Sequence, residues 1–128
     1  MISFFAEGQP IPQGSMKHIG NGRMIHSRAT ELATWRATIA YRAKEAGCKP
    51  ISDPISICMT FYYKRPKTVK RNQPTVAPDL DKQIRSVLDA LTGTAYLDDA
   101  QVVRIVANKV YGMPMGVRVE ITDGFDVL

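Results

Sequence analysis

Residues 78–101 read PDLDKQIRSVLDALTGTAYLDDAQ, and their spacing decides how the rest of the chain is divided. Leu80, Ile84, Val87, Leu88 and Leu91 recur at three- and four-residue intervals, which predicts an α-helix over 80–91 with these residues facing the core. Pro78 bars helix before the run, and Gly93 offers a C-terminal stop. Asp79, Asp81 and the Asp98/Asp99 pair thus bracket one short helix. Carboxylates gathered together repel unless a cation neutralises them.

Working outward, 102–110 and 117–122 have the composition of strands, joined by a turn around Gly112, Pro114 and Gly116. Alternation is clean in the last, where Val117, Val119 and Ile121 oppose Arg118, Glu120 and Thr122. Upstream, 54–64 reads as a strand with Ile55, Ile57, Met59 and Phe61 on one face. Before it, Leu32, Trp35, Ile39, Ala43 and Ala46 mark an amphipathic helix over about 29–46, capped by Ser27 or Thr30 and stopped by Gly47 and Pro50. Residues 2–6 suit a short strand, and the glycine-bearing 13–27 reads as a mobile loop. The order β-α-β-α-β-β predicts an α+β fold, a mixed sheet of about four strands with two helices packed on it. At 128 residues and 45% hydrophobic, the chain suits one domain over 1–128. No internal repeat is visible.

No apolar run approaches the ~20 residues that span a bilayer, and the N-terminus lacks a signal-type pattern, so a soluble, cytoplasmic protein is expected. Cys48 and Cys58 have no partners at metal-site spacing; both are expected to be ordinary reduced thiols. The net charge of +5 is unevenly spread. Between Glu7 and Glu31 there is no acid, while Lys17, Arg23 and Arg28 occur; between Asp53 and Asp79 there is again none, while Lys64, Arg65, Lys67, Lys70 and Arg71 fall together. One such run is an ordinary solvated loop; two favour a phosphate backbone as partner. Pro66, Pro74 and Pro78 should keep the second loop extended and exposed.

The acids admit two readings. Asp79 suits an N-cap and Asp81 the first helical turn, where the helix dipole favours negative charge. Alternatively they join Asp98 and Asp99 in a metal site. A helix of twelve residues is roughly 18 Å long, so the second pair reaches the first only if 93–97 folds the chain back. An EF-hand starting at Asp79 would need Gly and Glu where Ile84 and Ala90 stand, and no hydrophobic strand leads into Asp79 as a phosphatase nucleophile requires. Arg85, one turn beyond Asp81, is either its surface partner or a fixed charge against a phosphate; it cannot serve as a proton acceptor. Lys82 is placed to help hold DNA, whereas Asp89, two turns beyond Asp81, is expected to pair locally. Spacing and charge alone reach a metal site near a polyanion-binding surface.

The run PDLDKQIRSVLDALTGTAYLDDAQVV resembles the RusA family of Holliday junction resolvases, in its Asp-Leu-Asp, a basic residue one turn on, the Leu-Asp-Ala-Leu-Thr helix end and the Asp-Asp-Ala-Gln-Val turn into a strand. The resemblance extends more loosely to GQPIPQGSMK, to the helix containing Trp35 and to a closing hairpin over 103–122. It implies a Mg²⁺-dependent homodimer, with Mn²⁺ able to substitute, that nicks two strands of a four-way DNA junction symmetrically in bacterial or phage-infected cells, in recombination and repair. By position, Asp79, Asp81 and Asp99 match the family's essential acids, Asp98 a common acidic neighbour, and Arg85 falls where the family has an essential lysine. Lys82 stands where many members have Asn. Two other readings stay open: a nuclease of the same family with broader taste for branched DNA, and a non-catalytic DNA-binding protein. No membrane or small-molecule cofactor is implied.

Overall fold

Alternating apolar residues pair into strands because only one face of each can be buried, and the helices supply the cover. In the computed structural model, which describes residues 1–14 and 22–123 with 22–28 as backbone only, the elements are β1 (Ile2–Glu7), α1 (Gly22–Glu45), β2 (Ile55–Tyr63), α2 (Leu80–Leu91), a 3₁₀ turn (Asp99–Gln101), β3 (Val102–Tyr111) and β4 (Gly116–Asp123). This is the expected α+β order, and the four strands form one mixed sheet.

The sheet order is β1-β4-β2-β3, with β4 antiparallel to both neighbours and β3 parallel to β2. The expected hairpin of the last two strands is therefore wrong: β2 lies between them. β2-α2-β3 is a parallel crossover, a connection that in general is right-handed and packs its helix on one sheet face. β4, whose Val117, Val119 and Ile121 are all buried, takes the central slot between β1 and β2. The link between β3 and β4 crosses the end of β2, where Gly112 N donates to Tyr63 O at 2.9 Å. A Cβ on Gly112 would stand 2.9 Å from the Tyr62 ring, so the crossing needs glycine.

Ile55, Ile57, Met59 and Phe61 are buried, as their alternation predicts, and register places Met59 opposite Val119 and Phe61 opposite Val117. Trp35, Ile39 and Ala43 of α1 and Val87, Ala90 and Leu91 of α2 close the same core. α1 begins at Gly22, seven residues before the expected start, so neither Ser27 nor Thr30 caps it. Once nucleated, a helix gains one hydrogen bond per added residue, and nothing from Arg23 to Arg28 interrupts it. Its end is as expected: Gly47, at φ +105°, and Cys48 donate to Lys44 O and Ala43 O, leaving Ala46 exposed. Of the expected loop over 13–27, residues 15–21 lie outside those described, and Gln13 is pinned to α2 by its N–H on Lys82 O.

α2 has the expected bounds, and Val87 and Leu91 are buried as expected, but its inward face is wider than its apolar residues mark. Leu80, Ile84 and Leu88 are only partly buried, while the polar Gln83 and Ser86 are fully buried. Gln83 Nε2 donates to Pro10 O at 3.1 Å and Ser86 Oγ to Ile11 O at 2.8 Å. The irregular 9–14 strap has carbonyls that no strand satisfies, and these two side chains supply the donors. Among the described residues, no helix is long and apolar enough to cross a membrane.

Candidate functional site

Residues four and eight positions apart on a helix share a face, so Asp81, Arg85 and Asp89 line one side of α2. Asp99 joins them: with Ile84 and Leu88, these residues enclose a cleft of about 260 Å³. The fold-back that spacing required is present, and Tyr96 is its pivot. That ring is fully buried, and its hydroxyl donates to Leu88 O at 2.8 Å, holding the returning chain against α2. Burial pushes the Tyr96 pKa well up, so the hydroxyl stays a donor at neutral pH.

Gln101 fixes the next step. Its Oε1 accepts from Leu97 N and Asp98 N, both at 2.9 Å, and its Nε2 donates to Ile51 O and Asp53 O at 2.8 and 2.9 Å. Asp98 completes a capping box by accepting from Ala100 N at 2.9 Å through Oδ1. Asp98 thus holds the turn, while Asp99, first residue of that turn, faces the cleft. The sequence reading had no role for Gln101; its signal was the capping-box pattern Asp-x-x-Gln.

Asp79 occupies the N-cap position, yet its side chain makes no capping hydrogen bond. Its Oδ2 lies 3.7 Å from Lys82 Nζ, and the carboxylate is largely exposed. It borders a second, wider depression of about 670 Å³, shared with Pro10, Tyr63, Lys64, Lys82 and Met115. The Asp-x-Asp element therefore borders two hollows, Asp79 the wider and Asp81 the cleft. Among the described residues, no three His, Cys, Asp or Glu side chains stand grouped as a ready-made metal cage. The cleft acids do fit a hard divalent cation in kind, since Asp81, Asp89 and Asp99 offer only carboxylate oxygens. The local pairing expected of Asp89 is not what it makes: it pairs across the two helices with Arg36 of α1 at 3.7 Å, and it also borders the cleft.

Tyr63, at the junction of the larger depression and a smaller cavity of about 170 Å³, has a buried hydroxyl without a hydrogen-bond partner. Burial pushes its pKa up to about 12, opposed in small part by the neighbouring Gln83 side chain. It is neutral wherever the protein works near neutrality.

Lys64, Arg65, Lys67, Lys70 and Arg71 are all exposed. Their loop is not extended as the prolines implied: it turns at Pro66, where Val69 N donates to Pro66 O, and Pro74 is buried. β3 splints it. Arg71 Nε donates to Tyr111 Oη at 2.9 Å, the Arg65 guanidinium stands 6.0 Å from the Tyr111 ring centre, and Lys109 Nζ donates to Val76 O and Pro78 O. Arg65 Nε also donates to Val69 O at 3.0 Å. Lys17 lies outside the described residues; Arg23 lies in α1, its side chain likewise outside. Sequence reasoning missed Lys109 and Tyr111, for which the only signal was a basic and an aromatic residue two apart on one strand.

A family model described as "Endodeoxyribonuclease RusA" matches residues 7–122, nearly the whole chain. A protein of Bacillus subtilis (strain 168) named "Uncharacterized protein YqaN" is 28% identical over 136 aligned positions, covering 95% of this chain and 96% of its own.

Proposed function

The chain belongs to the RusA endodeoxyribonuclease family, enzymes that act on branched DNA junctions, and from that premise we propose that it is a Mg²⁺-dependent resolvase of four-way junctions. In this reading it works as a homodimer, nicks two strands symmetrically, and serves recombination and repair. The observation that carries the proposal is the shared cleft of Asp81, Arg85, Asp89 and Asp99 on the helix whose N-cap, Asp79, borders the depression that Lys64 of the basic loop also lines.

Asp81 and Asp99 would hold the cation, with Asp79 and Asp98 as the remaining carboxylates. Mg²⁺, or Mn²⁺ in its place, supplies activation of water and neutralisation of charge on the phosphate and leaving oxygen. Arg85 presents a guanidinium on the same helical face and offsets charge that grows on the scissile phosphate. Arginine keeps its proton at any working pH, so it serves as an electrostatic contact and never as the base. Lys64, Arg65, Lys67, Lys70, Arg71 and Lys82, together with Lys17 and Arg23, hold the phosphate backbone and bring the strand over the acids. A two-fold dimer presents two such sites to the two related strands of a junction.

The capping reading loses support because Asp79 makes no cap hydrogen bond. Labelled four-way junction, three-way junction and duplex, each with and without Mg²⁺, separate the possibilities. Cleavage of the four-way junction in Mg²⁺ alone is expected. Equal cleavage of every branched substrate identifies a broader nuclease, and tight binding without any cleavage identifies a non-catalytic binder.

A further inference from the structure

Lys109 belongs to β3, opposite Phe61 of β2, and borders the 170 Å³ cavity between β3 and the basic loop. Its ammonium donates to Val76 O at 2.7 Å and to Pro78 O at 2.8 Å. None of the ion pairs among the described residues includes it. A lysine serving only solubility extends its charge into water; this one directs its charge into two short charge-assisted bonds with backbone carbonyls on either side of Ala77.

Those carbonyls belong to the last irregular residues before α2. Pro78 has no N–H to give, and no strand or helix ladder includes 76–78. The next residue is Asp79, whose carboxylate is held by no cap bond, so its direction follows from how the backbone enters α2. Asp79 O in turn accepts from Gln83 N at 3.2 Å, which carries the same constraint into the first helical turn. Lys82, the ion-pair partner of Asp79, lies in that turn.

We propose that Lys109 is a positioning residue for Asp79: by gathering the Val76 and Pro78 carbonyls onto one ammonium, it sets the backbone from which the Asp79 carboxylate projects. The inference rests on the reading of Asp79 as part of a metal-dependent cleavage site. It assigns β3, which contributes no acid, control over one side of that site.

The test uses the full chain with Lys109→Met, which keeps the stem and removes the charge, and Lys109→Arg, which keeps the charge. Single-turnover junction cleavage by Lys109→Met should fall about 10- to 100-fold, while junction affinity measured in Ca²⁺ stays close to the parent's. The Mg²⁺ concentration for half-maximal rate should rise, amide exchange at 79–83 should quicken, and Lys109→Arg should recover part of each. A Lys109→Met rate within about twofold of the parent overturns the proposal. So does a loss of rate matched by an equal loss of junction affinity, which marks a loop anchor and nothing more. If Lys109→Met does not fold, Lys109→Arg decides: its geometry differs at a two-bond site, so a parental rate and Mg²⁺ dependence overturn the proposal, and a raised Mg²⁺ requirement supports it. If the parent itself cleaves no junction, the proposed function falls separately, and unchanged exchange at 79–83 in Lys109→Met overturns this inference by itself.

Discussion

At the scale of single residues, the cleft separates carboxylates by their employment. Asp98 is occupied with a turn, Asp89 is held by Arg36, and Asp81 and Asp99 remain as side chains with no described partner other than the cleft. Asp81→Asn removes charge with little change of shape; cleavage should fall to background while junction binding persists or tightens. Full cleavage by the Asn variants of Asp79, Asp81 and Asp99 alike would remove the site assignment. The buried Tyr96 and the partly buried Tyr63 behave differently. Tyr63 has an unpartnered hydroxyl, so Tyr63→Phe should be neutral or mildly stabilising, whereas Tyr96→Phe removes a bond to Leu88 O and should cost about 1 kcal/mol. Both phenols have folded pKa values raised by burial, Tyr63 to about 12. Between the unfolded value near 10 and that folded value, the unfolded chain binds fewer protons. Stability should therefore be level in this respect below pH ~10 and fall as pH rises toward 12. Urea midpoints from pH 7 to 11 check this; the alkaline fall should be shallower in Tyr63→Phe.

At the scale of elements, function depends on what orders the irregular segments. The 97–101 turn hangs on Gln101, whose Oε1 accepts two hydrogen bonds within the turn and whose Nε2 donates two that join it to 51–53. Gln101→Ala should cost about 1–3 kcal/mol and reduce cleavage more than junction binding, because Asp99 loses its fixed place. Chemical denaturation with paired binding and rate measurements checks this; equal losses in binding and rate would show the turn to be mere scaffold. The basic loop should behave in the opposite way. Lys67, Lys70 and Arg71 changed together to Ala should weaken binding and flatten its salt dependence. Identical salt slopes for variant and parent would remove that loop from the phosphate contacts. These elements also mark how far the sequence could be read. The bounds of α2 were legible because five apolar residues repeat without interruption. Its inward Gln83 and Ser86 were not, since periodicity counts apolar residues and these two serve carbonyls of a distant strap. Asp-Asp-Ala-Gln was legible as a turn, but its attachment to 51–53 is a contact across 48 and 50 positions, which no local pattern carries.

At the scale of the whole molecule, apolar composition and alternation identified every strand among the described residues but not its neighbours. β3 and β4 are consecutive with a short glycine-rich link, which locally favours a hairpin. The global constraint is stronger: a parallel β2-α2-β3 crossover places Asp99 beside α2, and β4 must then supply the buried strand between β1 and β2. The same arrangement explains the candidate site. α2 carries Asp81 and Arg85, the return from α2 carries Asp99, and β3 splints the basic loop that leads into Asp79. The family match over 7–122 is consistent with one fold organising all of these.

The central claim is metal-dependent, paired cleavage at a four-way junction. A supercoiled plasmid that extrudes a cruciform tests it most directly, because paired nicks within one bound complex give linear DNA, whereas a single nick relaxes the circle and removes the junction. Linear product in Mg²⁺, abolished by EDTA and by Asp81→Asn, is the predicted result. Linear or nicked product at an undiminished rate in EDTA, or an intact plasmid in Mg²⁺, would contradict it.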